Sequence, residues 1–353
     1  MNSPLGREVS TRDARIAGVV SCVPAQRVDN AAFAERFGQA AVNDVTKMIG
    51  VQARHHVAPG QTTRDLCRAA GHRLLAGLAW APDSIDAIIF ISQTPDYRLP
   101  ATACALHADW GAAPACIAFD VNLGCSGYPY GLWLAHTMVQ SGAARRVLLA
   151  VGDTSSRLVD PNERGTAMLF GDAGCVTAIE HDPDAATAAA HFILGSDGTG
   201  ASHLIVPQGC FRDHLQEPDP RLEGRDPATL FMDGGQIFNF ALRAVPPLLA
   251  RTAAFAQAAL EDYDAVLLHQ ANLFMLKHLV KKSGLDRARF PINIDRYGNT
   301  SSASIPLLMT TDIAPALRAG PMRLAMLGFG VGYSWASASL VAGPLTICET
   351  IEL

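Results

Sequence analysis

Charged residues are scarce in this chain. Only 17% of its 353 residues are Asp, Glu, Lys or Arg, whereas 49% are hydrophobic. This balance predicts a large buried surface and an oligomeric protein. The formal net charge of −5 argues against nucleic acid as a general partner, because nucleic-acid-binding proteins usually carry a basic surface.

Paired cysteines are missing as well. The eight cysteines contain no Cys-x-x-Cys pair and have no regular spacing. This pattern differs from a disulfide framework and favours a reduced, intracellular compartment, so we expect a cytoplasmic protein. Cys104 and His107 have a spacing that zinc ligands use, but no second pair accompanies them. We therefore interpret them as one face of a buried helix and expect no metal ion.

Neither a signal peptide nor a membrane span is expected. The N-terminus carries charged residues between Arg7 and Arg15 and has no apolar core, so residues 1–14 are predicted to form a polar, loosely held tail. The apolar stretch 324–345 is interrupted by glycines and serines. This composition predicts two buried strands joined by a Gly-rich turn.

Strand and helix patterns alternate along the whole chain, which predicts an α/β protein. Two segments also recur at almost the same offset: residues 86–93 resemble 264–270, and residues 146–152 resemble 323–329. The repetition indicates two related halves, 15–185 and 186–353, with a boundary in the polar, alanine-rich stretch 181–190. If the halves pair about a pseudo-twofold axis, corresponding helix starts converge at the centre of the molecule.

One cysteine stands where a nucleophile is expected. Cys125 follows the apolar run 116–121, which predicts a buried strand, and it precedes a helix pattern. The free N–H groups and the dipole at a helix start favour a thiolate. Its small neighbours Gly124, Ser126 and Gly127 leave room for a substrate at the sulfur. The alternative is a buried structural cysteine.

Two polar residues of the second half also stand at the ends of predicted elements. His269 ends an apolar strand, and Asn299 lies at a Gly-rich turn before a helix pattern. A thiol nucleophile needs a base and a group that polarises or orients it, and these residue types supply both. Taken alone, each has an ordinary alternative, namely a core histidine and a helix N-cap. Together with Cys125 they predict an active site.

With these three residues, the chain resembles the β-ketoacyl-acyl-carrier-protein synthase III family of the thiolase superfamily over residues 15–353. The resemblance rests on His269-Gln-Ala-Asn272, Gly298-Asn-Thr-Ser-Ser-Ala-Ser-Ile-Pro306, Asp160-Pro-Asn-Glu-Arg-Gly-Thr166 with Phe170-Gly-Asp172, and Gly328-Phe-Gly-Val-Gly332. It implies an α/β thiolase fold, with two pseudo-twofold related halves in a layered αβαβα arrangement.

The resemblance also implies a reaction. Cys125 takes an acyl group from a thioester while the backbone N–H groups of Cys125 and Gly332 bind the oxyanion. His269 and Asn299 then stabilise the enolate from a malonyl-type thioester, which condenses with the acyl group in fatty-acid or related biosynthesis. Acyl carrier protein and acyl-coenzyme A are the implied partners, and no cofactor is needed. The alternatives are an acyltransferase or thioester hydrolase using acyl-Cys125, and a catalytically silent subunit of a heterodimer.

The substrate site is implied less completely. Family positions for substrate contacts are occupied by Arg164, Met232, Phe238, Asn272 and Leu99. Leu99 matches a place where a dimer partner closes the acyl pocket, which implies a homodimer. Asp44 and Met48 replace a tryptophan and an arginine of the family's adenine site, and Phe274 replaces an arginine used in carrier docking. The acyl donor therefore stays open, while Lys277 and Lys281 share one helix face that could receive an acidic carrier protein.

Overall fold

The computed structural model describes residues 5–182, 189–211, 221 and 224–353. Its main elements are a six-stranded sheet and a five-stranded sheet. Helices pack on the outer face of each sheet and in the layer between the two sheets. The predicted αβαβα layering is therefore confirmed.

The first sheet has the strand order β15-β2-β8-β7-β5-β6. Strand β8 runs antiparallel to β2 and β7, and the remaining neighbours are parallel. The strands are β2 (Ala14–Val23), β5 (Ala87–Ile91), β6 (Ile117–Val121), β7 (Arg146–Asp153), β8 (Ala173–His181) and β15 (Ile347–Glu352).

The second sheet has the order β1-β9-β14-β13-β12, with β12 and β13 parallel and the other neighbours antiparallel. Its strands are β1 (Arg7–Thr11), β9 (Ala190–Ser196), β12 (Ala265–Leu268), β13 (Met322–Gly330) and β14 (Ser334–Ala342). Two short antiparallel pairs lie outside both sheets: β3 (Arg27–Asp29) with β4 (Ala53–His55), and β10 (Leu204–Ile205) with β11 (Phe231–Met232).

The helices occupy three layers according to where their apolar side chains are buried. They are α1 (Ala34–Phe37), α2 (Gln39–Ile49), α3 (Thr63–Leu78), α4 (Thr102–Trp110), α5 (Gly127–Gln140), α6 (Arg164–Ala167), α7 (Gly234–Phe255), α8 (Leu273–Ser283), α9 (Ile294–Tyr297), α10 (Ser304–Thr311) and α11 (Ala314–Ala319). Helices α3 and α4 cover the first sheet, and α7 and α8 cover the second. Apolar residues of α5 and α10 share one core cluster with residues of both sheets, so these two helices form the central layer.

The repeated sequence segments take equivalent places in the two sheets. Strand β5 lies beside β7 in parallel, as β12 lies beside β13. Helix α5 follows the cysteine segment, and α10 follows the asparagine segment. The two central helices therefore begin shortly after Cys125 and Asn299, in equivalent places of the two halves, which confirms the pseudo-twofold prediction.

The termini differ from the sequence prediction. Residues 7–11 form β1, which pairs with β9 over five residues, so the prediction of a loose tail over this segment is wrong. The indole Nε1 of Trp335 also donates to the carbonyl of Leu5 at 2.6 Å. Strand β1 belongs to the second sheet and β15 to the first, so each half of the chain contributes a terminal strand to the other half's sheet. The predicted boundary stretch 181–190 lies partly outside the described residues.

The strand prediction is confirmed for the apolar segment 324–345 and is only partly correct for the segment 116–121. Strands β13 and β14 form an antiparallel hairpin, which confirms the prediction for residues 324–345. No helix in the described ranges is long and apolar enough to cross a membrane. The segment 116–121, predicted as a buried strand, instead forms β6 at the sheet edge, and Ile117 there is 42% exposed.

Candidate active site

Cys125 lies between β6 and α5, two residues before the helix begins, and it is buried. The turn between β13 and β14 packs directly on it. A Cβ atom at Gly330 would lie 2.9 Å from the Cys125 sulfur, so the turn can approach this closely only with glycine there. The Gly-rich closing motif therefore packs against one side of Cys125.

The protonation of Cys125 differs from the sequence expectation. Burial, together with a smaller effect of the nearby Asp153 carboxylate, raises the pKa of the Cys125 thiol to about 11. The Ser301 hydroxyl and the backbone N–H groups of Cys125 and Val331 act in the opposite direction. Burial outweighs them, so the resting residue is a thiol at neutral pH and not the thiolate predicted from its helix-start position.

His269 directly follows β12 and is buried. Its Nδ1 is hydrogen bonded to the Ser304 hydroxyl at 2.8 Å, and its ring meets the Phe329 ring edge-on at 5.6 Å. Burial lowers the pKa of His269 to about 3, although the Ser301 backbone favours the protonated form. The ring is therefore neutral at physiological pH and suited to donate a hydrogen bond from Nε2.

Asn299 lies between α9 and a short 3-10 turn, Ser301–Ala303, that precedes α10. Its amide Nδ2 donates to the Ala271 carbonyl at 3.3 Å, and its Oδ1 accepts from the Ser301 N–H at 2.9 Å. The asparagine thus stabilises the turn, but Thr300 is the N-cap of the 3-10 turn and Ala303 that of α10, so the N-cap alternative for Asn299 is wrong. Asn299 also ties the turn to the segment just after His269, which brings the two residues together.

Ser301 joins the three predicted residues. Its hydroxyl lowers the pKa of Cys125, its backbone raises the pKa of His269, and its N–H donates to the Asn299 Oδ1. It has a φ of 50°, a left-handed conformation that costs energy for a residue with a side chain. The structure therefore gathers Cys125, His269 and Asn299 around one residue that the sequence analysis did not single out.

Asp153 is a second residue that sequence reasoning missed. It ends β7, is buried, and accepts hydrogen bonds from the Gln93 N–H at 2.7 Å and the Ser92 hydroxyl at 3.1 Å. The Ser302 hydroxyl donates to its other oxygen at 3.3 Å. Burial raises the pKa of this carboxyl group, and the hydrogen bonds oppose the shift. A lone acidic residue at the end of an apolar strand was the available signal.

The implied substrate residues lie on several different elements. Gly332 lies in the β13–β14 turn, two residues beyond Gly330. Met232 in β11 and Phe238 in α7 are half-buried. The Phe238 ring lies 5.3 Å from that of Phe274.

Three further residues were implied as substrate contacts, and two of them are exposed. Arg164 is exposed at the start of α6, and Leu99 is 79% exposed. The Asn272 side chain caps α8, where its Oδ1 accepts from the Met275 N–H at 2.8 Å. This gives Asn272 a structural role in addition to its position in the motif.

Outside this site, the fold has an exposed cysteine and a cavity. Among the described residues, no cluster of three or more His, Cys, Asp or Glu side chains could hold a metal ion. Cys104 in α4 is exposed, so the prediction of a wholly buried helix face was wrong for this residue. A cavity of about 620 Å³ lies beside α1 and is lined in part by Phe33, Arg36 and His56. Its lining contains none of the residues proposed from the sequence.

Comparisons with known proteins agree with this arrangement. The family model for 3-oxoacyl-[acyl-carrier-protein (ACP)] synthase III matches residues 119–198, and the model for the C-terminal part of that family matches residues 253–341. The β-ketoacyl-[acyl-carrier-protein] synthase III of Clostridium tetani is 34% identical over 307 residues, which cover 85% of this chain and 89% of the relative. A putative 3-oxoacyl-[acyl-carrier-protein] synthase 3 of Campylobacter jejuni is 32% identical and covers 93% of each chain.

A solved structure is similar over almost the full length. The crystal structure of a 3-oxoacyl-(acyl-carrier protein) synthase from Burkholderia xenovorans LB400 has 57% sequence identity and a TM-score of 0.97. The match covers 99% of this chain and 100% of that one. Fold, motifs and relatives thus agree, and the chain belongs to the 3-oxoacyl-[acyl-carrier-protein] synthase III family of the thiolase fold.

Proposed function

We propose that this protein transfers an acyl group from a thioester to Cys125 and condenses it with a malonyl-type thioester, carried by acyl carrier protein. The observation that supports the proposal is that three buried residues meet in one place. The end of β13 contacts Cys125 through Gly330 and His269 through Phe329, and Asn299 donates to the Ala271 carbonyl just after His269. This arrangement concentrates a thiol and two hydrogen-bond donors in one buried site. Such a site fits thioester chemistry that needs no metal or organic cofactor.

In the first half-reaction, the Cys125 sulfur attacks the acyl carbonyl and the donor's thiol leaves. The oxyanion is bound by the backbone N–H groups of Cys125 and Gly332 in this proposal. Each such donor contributes a few kcal/mol in the transition state when it is fixed in a dry site. The close packing of the β13–β14 turn on Cys125 supports this role.

In the second half-reaction, loss of CO₂ from the malonyl group leaves an enolate. His269 and Asn299 donate hydrogen bonds to its oxygen, and the carbanion attacks the acyl-cysteine to give a β-ketoacyl product. A histidine with a pKa near 3 is a weak base but a good neutral donor. Two neutral donors aimed at a developing oxyanion lower the barrier without adding a buried charge.

The surface of α8 supports a carrier-protein partner. Lys277 and Lys281 are exposed there with helical spacing, and Phe274 on the same helix is 47% exposed. A mixed basic and apolar surface suits an acidic protein that delivers a phosphopantetheine thioester. Asp44 and Met48 are exposed on α2 and lack the aromatic and cationic groups of the family's adenine site, which favours carrier-bound over coenzyme A-bound donors.

The acylation step is tested with a panel of acyl-coenzyme A and acyl-carrier-protein donors and intact-mass measurement. We expect one donor to add a single acyl mass to the wild-type protein and none to the Cys125→Ala variant. Cys104→Ala and Cys210→Ala, which change exposed thiols, should acylate normally. Stoichiometric acylation of Cys125→Ala would show that another residue is the nucleophile.

The condensation step is tested separately. His269→Ala and Asn299→Ala should retain appreciable self-acylation but lose decarboxylation of the malonyl substrate by about 10²-fold or more, because each removes one enolate donor. Release of CO₂ and formation of the β-ketoacyl product are measured on the pre-acylated protein. Near-normal condensation in both variants would contradict the enolate role and favour an acyltransferase or hydrolase.

A further inference from the structure

Ser126 is the N-cap residue of α5, yet among the described residues its side chain makes no capping hydrogen bond. A serine in this position usually accepts a hydrogen bond from an N–H of the first helical turn. The Ser126 side chain is completely buried, and its hydroxyl is instead hydrogen bonded to the hydroxyl of Ser334 at 2.7 Å. The side chain therefore serves a contact 208 residues away along the chain and not the end of its own helix.

The two hydroxyls form a hydrogen-bond chain with one direction. Ser334 is the first residue of β14, and its hydroxyl donates to the carbonyl of Val331 at 2.8 Å. Because a hydroxyl has a single proton, Ser334 accepts the hydrogen bond from Ser126. The chain thus runs from the start of α5 to the turn 331–333, which connects β13 to β14 and contains Gly332.

This hydroxyl chain opposes separation of the turn from Cys125, and packing contacts oppose their closer approach. A Cβ atom at Gly328 would lie 2.8 Å from both the Cys125 carbonyl oxygen and the Ser126 Cα, and one at Gly330 would lie 2.9 Å from the Cys125 sulfur. Contacts this tight leave no room for β13 to move inward. The bond between the hydroxyls has the preferred length for such a pair, so it weakens when the two groups move apart.

The far side of the turn is fixed to other elements. Tyr333 exchanges two backbone hydrogen bonds with Asp197, at 2.8 and 2.9 Å, and its ring stacks on Phe240 of α7 with centroids 4.1 Å apart. Its hydroxyl is hydrogen bonded to Nδ1 of His203 at 2.6 Å. These contacts tie the turn to the second sheet and its outer helix, whereas Cys125 directly precedes the central layer. The hydroxyl chain therefore joins two parts of the fold beside Cys125.

We propose that the hydroxyls of Ser126 and Ser334 position the oxyanion site, because they keep the backbone N–H of Gly332 at a fixed distance from that of Cys125. This inference rests on the role of these two N–H groups in the proposed function. Donors stabilise an oxyanion strongly only when they are fixed in advance at hydrogen-bond distance from its position. Both serines act through the backbone and touch no reacting atom, so they are positioning residues.

Two reactions of Cys125 separate the positioning of oxyanion donors from general access to the sulfur. With 4-nitrophenyl acetate, the sulfur attacks the ester carbonyl, an oxyanion forms, and 4-nitrophenolate leaves while the acetyl group stays on the sulfur. With iodoacetamide, the sulfur displaces iodide from a saturated carbon, and no oxyanion forms. Both reactions begin with loss of the thiol proton to the solvent, so a change in the thiol pKa alters both rates. The ratio of the acetylation rate to the alkylation rate therefore reports on the oxyanion donors.

Both rates are measured by intact mass in a protein that also carries Cys104→Ala and Cys210→Ala, which remove the exposed thiols. Loss of a whole oxyanion donor costs about 10²–10³-fold, so loosening one of them in Ser126→Ala should lower the ratio by about tenfold. The Ser334 hydroxyl keeps its bond to Val331 in that variant, so no buried donor is left unpaired and the fold should be retained. Ser334→Ala should lower the ratio at least as much, and Ser334→Thr, which keeps a hydroxyl, should restore it.

Ser337→Ala is the matched control. Ser337 is a buried serine of the same strand, and its hydroxyl pairs with that of Thr252 at 2.6 Å. The substitution removes the same kind of bond from β14 outside the turn, so the ratio should stay at the wild-type value. The double variant Ser126→Ala/Ser334→Ala should have the ratio of Ser334→Ala alone, because both changes break one shared bond.

Three results would overturn the inference. A wild-type ratio in both Ser126→Ala and Ser334→Ala would show that the turn stays in place without the hydroxyls. Equal falls in acetylation and alkylation would show that the serines support Cys125 as a whole, and effects that multiply in the double variant would show that the hydroxyls act separately. Neither reagent is a thioester substrate, so failure of condensation would be seen separately. A wild-type protein that is not acetylated at Cys125 would contradict the acyl-cysteine step itself.

Discussion

At the scale of single residues, access to Cys125, the proposed nucleophile, depends on Gly330. A Cβ atom there would lie 2.7 Å from the Cys125 Cβ and 2.9 Å from its sulfur. We expect Gly330→Ala to block acylation of Cys125, lowering the rate at least tenfold, because either the turn or the thiol must move. Acylation is followed by intact mass. Gly320→Ala is the control, since nothing lies within 4 Å of a Cβ atom there. If the Gly330→Ala variant is acylated at the wild-type rate, the turn can move aside and the prediction is wrong.

His136 makes a second residue-scale prediction, which concerns stability. The ring is buried in α5, hydrogen bonded to the Thr11 hydroxyl at 3.2 Å, and burial lowers its pKa to about 4. In the unfolded chain a histidine has a pKa of about 6.5, so between about pH 6.5 and 4 the unfolded state binds a proton that the folded state does not. The free energy of unfolding therefore falls as the pH is lowered, by about 2 kcal/mol between pH 8 and pH 5 from this residue.

The contribution of His136 can be isolated by comparing denaturant unfolding at the two pH values. His136→Gln should lose about 2 kcal/mol less than the wild type on acidification, since glutamine does not titrate. His269 titrates in the same window in both proteins, so its effect cancels. His72→Gln, at an exposed position of α3, should behave as the wild type. An unchanged pH dependence in His136→Gln would contradict the buried neutral state.

At the scale of elements, close helix contact depends on Gly71. A Cβ atom at Gly71 in α3 would lie 2.4 Å from the Trp110 ring of α4. Alanine normally favours a helix over glycine by about 1 kcal/mol, but overpacking of this kind costs typically 1–3 kcal/mol. We therefore expect Gly71→Ala to lower the free energy of unfolding. The free energy of unfolding is measured by denaturation, with Gly234→Ala as the control because open space surrounds a Cβ atom there. If Gly71→Ala is more stable than the wild type, α4 can shift away from the added methyl group and the prediction is wrong.

Elements whose signal is local could be predicted from the sequence. The helix pattern after Cys125 became α5, and the apolar stretch 324–345 became the β13–β14 hairpin. Strand β1 was missed because a short polar segment reveals nothing of a partner, β9, that lies far away along the chain. The edge position of β6 was likewise hidden, because strand order is decided by the whole sheet and apolar residues occur on both central and edge strands.

In the site, too, local sequence patterns predicted some features, whereas features that depend on the assembled fold were missed. Cys125, His269 and Asn299 stand at element ends, where sequence patterns indicate a break and chemistry indicates a role. Asp153 also stands at the end of a strand, β7, but its contact with the Ser302 hydroxyl joins segments that are distant in sequence and cannot be read from a local pattern. Ser301 has no such local signal. The protonation of Cys125 was predicted wrongly for a related reason. The helix start is a local feature, whereas burial, which dominates its pKa, is a property of the assembled fold.

At the scale of the whole molecule, one sheet edge has the features of an interface. Strand β6 ends the first sheet, and in the described residues it pairs only with β5, so its outer edge can accept another strand. Leu99 stands 79% exposed in the segment before α4, and Tyr97 beside it is 67% exposed. Large apolar side chains that protrude together commonly mark an interaction surface.

We propose that this edge and the segment around Leu99 join two copies of the chain, with each Leu99 closing the acyl pocket of the other copy. The buried area should exceed roughly 2,000 Å² in total, as in permanent dimers. Leu99→Trp should then change the acyl-length preference of self-acylation while Cys125 stays reactive to iodoacetamide. Leu353→Trp, at another exposed leucine, should not. Light scattering at micromolar concentration should give the mass of a dimer, and a fully active monomer would contradict both the shared pocket and the interface.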